Sequence, residues 1–398
     1  MAKKSRIVRA APIDRLGFVG HLIRSSLLKA ILHGTQVVVA LQRHRTPTRN
    51  ALMRFVTAFG HEDFYTALIP VLTWIVDPRL GFLFLIVLAT SFYVSGSLKN
   101  LVLLPRPPSP PVEPLERSTD WAMPSLHAIT GVVGPWYIFF YAYLNYDLSE
   151  STLVALFGVM TVWSVSVIFS RLYLGVHSPV DLVVGGAVGC IVVVAWLQID
   201  TYFENYVASH RNSYIAVLFG FILMIFLHPR SKDHYSVSFY DSVSLLGLAS
   251  GAVLGRLRTV GDIHLSASLL EMPTEKNLYL LIGLRMLLGT AATFLGRVVL
   301  KMLLRPLIRC LIYAAGFEVV SATEMLKEQV LNVHYSEAFC LPGDVDDDDE
   351  VKKTKKGEEK KRSRHTIDID IPLKFCLYSI MGWLALEGMP SLFYQLGI

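Results

Sequence analysis

Long apolar runs separated by short polar turns recur along the whole chain. A membrane-crossing helix needs about 20 mainly apolar residues, and an open chain in lipid satisfies its backbone hydrogen bonds only as helix. The pattern therefore predicts an all-α, polytopic membrane bundle. Its apolar runs lie near 63–76, 80–98, 128–146, 152–170, 180–199, 213–228, 241–256, 278–296 and 372–396.

A further run at 22–41 is less apolar, because Arg24, Lys29 and His33 interrupt it. Hydropathy alone leaves two interpretations open: this segment crosses the membrane, or it lies in the membrane interface. The total prediction is about nine or ten spans.

The polar segments and the apolar runs together suggest five regions. Residues 1–21 are rich in Lys and Arg, which predicts a cytoplasmic basic tail by the positive-inside rule. Residues 22–200 form a core, residues 201–343 an additional transmembrane region, and residues 372–398 a terminal transmembrane helix. Between the last two, residues 344–371 carry a run of acids followed by Lys and Arg, which predicts a flexible spacer loop.

Composition supports a membrane protein and excludes other classes. The chain is 53% hydrophobic, with a mean hydropathy of +0.47. The net charge is +5, but the basic residues flank apolar spans and form no soluble basic face, which argues against nucleic-acid binding. The four cysteines show no C-x-x-C spacing, so neither a disulfide framework nor a zinc site is indicated. We find no pattern of a cleaved signal peptide, so internal spans are expected to direct membrane insertion.

Three polar clusters interrupt the apolar pattern at predicted helix ends. They run from Lys99 to Pro107, from Pro124 to His127, and from Ser170 to Asp181. Charges this close to membrane depth are costly and usually serve function. Counting predicted crossings places all three clusters on one side of the membrane. That side is opposite the basic tail if residues 22–41 cross, and it is the tail's own side if they do not.

The first cluster suggests an anion site. Lys99 and Arg106 are seven residues apart, so a helix continuing to Pro107 would carry both cations on nearly the same face. Two cations held together make sense if an anion lies between them, and Arg binds phosphate through two parallel hydrogen bonds. The alternative is that both are ordinary positive residues flanking a span. The prolines from Pro107 to Pro111 predict a stiff, extended loop rather than a peptide-docking ligand.

The second and third clusters add a proton donor and a nucleophile. Ser125 and His127 open a helix whose free N–H groups suit an anion, and histidine transfers protons near neutral pH. Taken singly, Ser125 is better explained as a plain helix cap and His127 as a headgroup-level polar residue. Asp181 completes a capping box with Ser178. A carboxylate beside the imidazole of His177 would also fix its tautomer, and the two roles are compatible.

Taken together, the clusters predict a phosphate site that contains an acid and a nucleophile. No acidic cluster of the kind that binds a divalent metal accompanies them, so the cations themselves would stabilise the transition state. The candidate residues are Lys99, Arg106, Ser125, His127, Arg171, His177 and Asp181.

The three clusters resemble the signature of the type 2 phosphatidic acid phosphatase and vanadium haloperoxidase superfamily. That signature reads K-x6-R-P, P-S-x-H and S-R-x5-H-x3-D, and the chain departs from most members only at Leu126, where they have Gly. The stretches Arg106 to Val112 and Met123 to His127 look most like those of sphingosine-1-phosphate (long-chain base phosphate) phosphatases. The extra C-terminal spans agree with that subfamily.

The resemblance implies a role for each site residue. His177 would attack phosphorus and form a phosphohistidine, with Asp181 orienting its ring. His127 would protonate the leaving alkoxide and later activate water. No metal or cofactor is implied. The phosphoryl oxygens would be held by Lys99, Arg106, Ser125 and Arg171.

The resemblance also implies a topology and a substrate. A six-helix core requires residues 22–41 to cross, and the site would face the lumen of the endoplasmic reticulum. The predicted function is metal-independent hydrolysis of a phosphorylated sphingoid base drawn from the membrane lipids. Alternatives are a phosphatase for another lipid, polyprenyl or sugar phosphate, a lipid phosphotransferase, and, from a different class, a transporter or non-catalytic scaffold. The intact His127, His177 and Asp181 argue against a scaffold.

Overall fold

The computed structural model describes residues 18–116, 118, 120–210, 212–229, 236–259, 277–322 and 366–398. The regular elements of this part of the chain are helices and two short strands, which confirms the all-α prediction. The helices are α1 (Phe18–Gln42), α2 (Pro47–Ala58), α3 (Glu62–Val71), α4 (Pro78–Val102), α5 (Leu126–Asn145), α6 (Glu150–Tyr173), α7 (Pro179–Ser209), α8 (Ser213–Leu227), α9 (Val237–Thr259), α10 (Leu278–Ala314), α11 (Asp370–Trp383) and α12 (Met389–Leu396).

Two π-helical segments and one small sheet complete the described elements. The segment Leu72–Val76 continues α3, and Leu384–Gly388 joins α11 to α12. Strands β1 (Glu318–Val320) and β2 (Thr366–Asp368) pair in parallel. The end of the loop predicted to be flexible therefore forms a strand, while residues 344–364 lie outside the described residues.

Every predicted apolar run coincides with a helix, and the chain is a multi-pass membrane protein. Five helices of the described chain are long and apolar enough to cross a membrane: Pro78–Val102, Glu150–Tyr173, Pro179–Ser209, Val237–Leu257 and Leu278–Ala314. Helix α2 was not predicted. It begins with Pro47 at its first position, and the side chain of Thr46 caps it by accepting from the N–H of Arg49.

Helix α4 lies at the centre of the bundle. In the most apolar 18-residue stretch of α4, 78% of the residues are buried. In the corresponding stretch of α6, only 17% are buried. A helix that is apolar on all sides belongs in the interior, and α4 buries Phe82, Leu83 and Phe84 completely. The hydrophobic core formed around it takes residues from α3, α5, α7 and α9.

The two ends of α4 define two faces of the bundle. We call the face at its C-terminal end, where α5 and α7 begin and α6 ends, the site face. On the opposite face, Glu204 of α7 binds the guanidinium groups of Arg79 and Arg256, each at 2.6 Å. This ion-pair network ties the start of α4 to the ends of α7 and α9.

Helix α4 ends at Val102 and does not continue to Arg106. Leu103 adopts a left-handed conformation with φ of 51°, and its N–H donates to the carbonyl of Lys99. Because this cap stops the helix before Arg106, the prediction that Lys99 and Arg106 share one continuing helical face is wrong. Their proximity has to come from the loop that follows.

Helix α1 contacts the site face near both of its ends. Near its start, Arg24 donates to the carbonyl of Leu103 at 3.3 Å. Just past its end, Arg45 donates to the carbonyl of Tyr173 at 3.0 Å. Leu103 and Tyr173 both lie at the site face, although about 30 Å of helix separates Arg24 from Arg45. Helix α1 therefore runs along this face, and the expectation that residues 22–41 cross the membrane is wrong.

The burial pattern of α1 gives the physical reason. Its buried residues recur every three or four positions and form one stripe against the bundle, while Lys29 and His33 are exposed. The exposed side of α1 is mixed, since Leu22 and Val37 are exposed beside these polar residues, so the buried stripe marks the surface that α1 covers on the bundle. The buried residues are Arg24, Leu28, Ile31, Thr35 and Val38.

This placement affects the predicted topology. Without a crossing at 22–41, the basic tail and the site face belong to the same side of the membrane. A cytoplasmic tail and a lumenal site are therefore incompatible. Residues 1–17 of the tail lie outside the described residues.

We predict that Lys29→Cys, in a variant lacking the four native cysteines, is labelled by a membrane-impermeant maleimide from the same side of sealed vesicles as Glu113→Cys. Glu113 lies in the site-face loop between α4 and α5. Asp147→Cys, between α5 and α6, should be labelled only from the other side. Shielding of position 29 from both sides would show that α1 crosses.

Candidate active site

Four helix ends and two connections converge at the site face. Lys99 lies in the last turn of α4, Ser125 caps α5 and His127 lies in its first turn. Arg171 lies in the last turn of α6 and Asp181 in the first turn of α7. Arg106 and His177 come from the connections between these helices. All seven predicted residues therefore belong to one cluster.

His177 is the best-defined group of the site. Its side chain is buried, and its Nε2 lies 3.3 Å from Nη1 of Arg106. Because a guanidinium only donates, Nε2 is the acceptor and the ring proton sits on Nδ1. Nδ1 lies 3.7 Å from Oδ2 of Asp181, which places the carboxylate beside the ring but is too long for a hydrogen bond.

The environment of His177 favours its neutral form. Burial lowers the pKa of His177 well below its ordinary value, and the positive charges of Arg106, Arg171 and Lys99 lower it further. At neutral pH the ring is therefore uncharged, and the Nε2 lone pair accepts from Arg106. An anion bound by Arg106 would lie next to this lone pair, which is the position that a nucleophile for phosphorus requires.

Asp181 has the capping role that its spacing predicted. Its Oδ2 accepts from the backbone N–H of Ser178 at 2.7 Å and from the Ser178 hydroxyl at 2.9 Å, which forms a capping box at the start of α7. The same carboxylate faces Nδ1 of His177. The helix cap therefore fixes the position of the group expected to orient the imidazole.

Two acids that the sequence analysis did not single out bind the cations of the site. Asp120 accepts from the ammonium of Lys99 at 2.6 Å, and Glu116 accepts from Arg171 at 2.7 Å. Both acids lie in the connection between α4 and α5. Because buried cations need nearby negative charges, the acids in this loop could have been considered from the sequence as partners of the cations.

The remaining cation contacts involve backbone and a helix that was not predicted. Arg106 donates through Nη1 to the carbonyl of Val176 at 2.7 Å, and through Nε to the carbonyl of Asp120 at 3.1 Å. Arg171 also donates to the hydroxyl of Thr57 at 2.8 Å. Thr57 belongs to α2, so sequence analysis could not place it in the site.

Ser125 and His127 hold the positions expected at the start of α5. The Ser125 hydroxyl accepts from the N–H of Ala128 at 3.4 Å, and its own N–H donates to the carbonyl of Asp181 at 3.3 Å. Nε2 of His127 is buried without a hydrogen-bond partner among the described residues. The ring of His61 lies beside it, with centroids 5.8 Å apart.

Leu126, the departure from the usual motif, packs its side chain against the main hydrophobic core. The close backbone contact in this region comes instead from Gly185 of α7. A Cβ atom there would lie 2.8 Å from the carbonyl oxygen of Ser125 and 2.9 Å from Cβ of Ala128. The absence of a side chain at Gly185 therefore allows α7 to reach the start of α5.

Comparison with known proteins agrees with this chemistry. Residues 80–205 match the model of the PAP2 superfamily. The chain is 25% identical to lipid phosphate phosphatase delta of Arabidopsis thaliana, over 94% of this chain and 89% of that protein. It is 30% identical to a probable sphingosine-1-phosphate phosphatase of Dictyostelium discoideum, over 59% of each protein. The alignment with mouse sphingosine-1-phosphate phosphatase 1 also spans 59% of that relative, at 27% identity.

One solved structure is similar to part of the chain. It is the transmembrane PAP2-type phosphatidylglycerolphosphate phosphatase of Bacillus subtilis, at 22% identity and a TM-score of 0.40. The match covers 46% of this chain and 95% of the bacterial one.

We predict that Gly185→Ala pushes α7 away from the start of α5 and misplaces Ser125 and His127. The overpacked contact should cost about 1–3 kcal/mol of unfolding free energy and weaken orthophosphate binding, measured as orthophosphate-dependent thermal stabilisation. Gly186→Ala is the matched control, because a Cβ there meets nothing within 4 Å. Equal behaviour of the two variants would contradict this account of the contact.

Proposed function

We propose that this chain, whose residues 80–205 form a PAP2 superfamily domain, is a membrane phosphatase that hydrolyses phosphorylated sphingoid bases. The observation that carries the proposal is the buried, neutral His177, whose Nε2 faces Arg106 within a group of cations. The names of the Dictyostelium and mouse relatives support the sphingoid substrate.

In the first step, Nε2 of His177 attacks phosphorus and the bond from phosphorus to the ester oxygen breaks. The electron pair of that bond stays with the lipid oxygen, which takes a proton from His127 and leaves as the alcohol. The product on the protein is a phosphohistidine. Asp181 faces Nδ1 of the ring and stabilises the positive charge that develops there.

In the second step, His127 removes a proton from a water molecule and the water oxygen attacks phosphorus. The bond between phosphorus and Nε2 breaks, phosphate leaves, and His177 regains its lone pair. The negative charge on the phosphoryl oxygens is greatest in the two transition states. Lys99, Arg106 and Arg171, with Ser125 at the helix N-terminus, would bind these oxygens without a metal ion.

The proposed membrane is that of the endoplasmic reticulum, with the site face towards the lumen, as the family resemblance implies. Because α1 runs along the site face, the basic tail would share this side. The substrate would enter from the membrane lipids around the bundle.

We predict that His177→Ala abolishes phosphate release from sphingosine-1-phosphate in detergent micelles, with a chelator present throughout. His210→Ala, at an exposed position on the opposite face, is the control and should keep full activity. A panel with phosphatidate, a polyprenyl diphosphate and glucose 6-phosphate tests the substrate. Activity that survives His177→Ala or requires magnesium would exclude the mechanism, and hydrolysis confined to another panel member would exclude the sphingoid substrate.

We predict that His127→Gln lowers kcat much more for a substrate with a poor leaving group than for one with a good leaving group. Its kcat on sphingosine-1-phosphate should fall about 10²- to 10⁴-fold, because an alkoxide leaves poorly without a proton. Its kcat on p-nitrophenyl phosphate, whose leaving group needs no proton, should fall much less. An equal loss on both substrates would contradict a role as general acid.

A further inference from the structure

We propose that Asp120 is a positioning residue that holds Lys99 in the phosphate site, and that Ser238 of α9 holds Asp120. The inference rests on the proposed function, since Lys99 is taken to bind the phosphoryl group. It assigns a role in the active site to a helix that lies outside the PAP2 domain.

The pair of Asp120 and Lys99 is buried and close. Oδ2 of Asp120 lies 2.6 Å from Nζ of Lys99, and the two side chains are only 13% and 5% exposed. An ammonium so far from water is costly unless a carboxylate faces it. The long lysine chain has many rotamers, so a partner at this distance also selects one of them.

Asp120 is ionised in this environment. Burial acts to raise the pKa of Asp120, but the charge and hydrogen bond of Lys99, with the hydroxyl of Ser238 and the charge of Arg106, lower it below its ordinary value. Asp120 also reaches the second cation through its backbone, because its carbonyl accepts from Nε of Arg106 at 3.1 Å. Asp120 therefore contacts two of the proposed phosphate-binding side chains. Lys99 lies in the last turn of α4, and Arg106 lies in the loop after it.

Helix α9 supplies the support behind Asp120. The hydroxyl of Ser238 donates to the same Oδ2 that binds Lys99. One turn before Lys99, Gly96 lets α9 approach closely, since a Cβ atom there would lie 2.9 Å from the carbonyl of Ser238. A second contact joins Ser236 to Asn100 at 2.9 Å. Helix α9 is thus packed directly on the turn of α4 that carries Lys99.

The electrostatics of the site distinguish positioning from plain structural support. A carboxylate beside a phosphate site repels the substrate unless a cation offsets it. Asp120 should therefore help only while Lys99 is present. Once Lys99 is removed, the same carboxylate should hinder phosphate binding.

The test is a double-mutant cycle on phosphate release from sphingosine-1-phosphate. Asp120→Asn alone should lower kcat/KM by about 10- to 100-fold, because it misplaces a phosphate ligand, and Asp120→Glu should restore part of the loss. In a Lys99→Gln background, Asp120→Asn should leave kcat/KM unchanged or raise it. An equal loss in both backgrounds would show a structural role and overturn the proposal.

A second pair of variants tests the part played by α9. Ser238→Ala should lower kcat/KM in the same direction as Asp120→Asn but by less, and its effect should disappear in the Lys99→Gln background. Ser244→Ala is the matched control, since Ser244 is a buried serine of the same helix whose hydroxyl donates to the carbonyl of Tyr240 in that helix. If Asp120→Asn fails to fold, this pair decides, and equal activity of Ser238→Ala and Ser244→Ala would overturn the proposal.

A readout without turnover separates this proposal from the proposed function. The same variants are compared by orthophosphate-dependent thermal stabilisation of the purified full chain, which needs no lipid substrate. If the wild type releases phosphate from no lipid but orthophosphate stabilises it, the proposed function fails. The dependence of that stabilisation on Asp120 and Lys99 then still supports or overturns the positioning role.

Discussion

The need to balance buried cations is the constraint on which the site face depends. Lys99 and Arg171 lie almost completely buried at the ends of two helices, where an unpaired charge is too costly to keep. The loop between α4 and α5 supplies the two carboxylates that pair with these cations, those of Asp120 and Glu116. The loop is therefore fixed by the same cations that make the site suitable for phosphate. A phosphoryl group entering the proposed site would meet side chains that are already held in place.

The central position of α4 explains why these charges meet at all. Its apolar residues pack on all sides, so its direction in the bundle is set by the core and not by the polar groups at its ends. The ion-pair network of Arg79, Glu204 and Arg256 fixes one end, and α9 packs along the helix to the other. Helix α9, which lies beyond the residues that match the PAP2 superfamily model, thus covers part of α4 and connects to Lys99 through Ser238 and Asp120.

The structure brings together all seven candidate residues, each of which lies in a local sequence motif with its own physical signal. Ser178 and Asp181 form the capping box that their spacing indicated, and Ser125 caps α5. One error concerned the path between Lys99 and Arg106, where periodicity suggested a continuing helix and the left-handed Leu103 ends it. Asp120, Glu116 and Thr57 were missed, since their contacts join segments that no local pattern relates.

The sequence by itself determined the long apolar helices, most of their order across the membrane, and the polar clusters at the helix ends that could bind a phosphate. These follow from hydropathy and short-range spacing, which a single stretch of chain contains. Only the tertiary structure decided that α1 lies along the site face, because which residues of α1 are buried depends on the surface of the bundle that the helix covers. Only the tertiary structure showed which acids balance which cations, since an ion pair between Lys99 and Asp120 depends on a distance in space that the loop conformation sets.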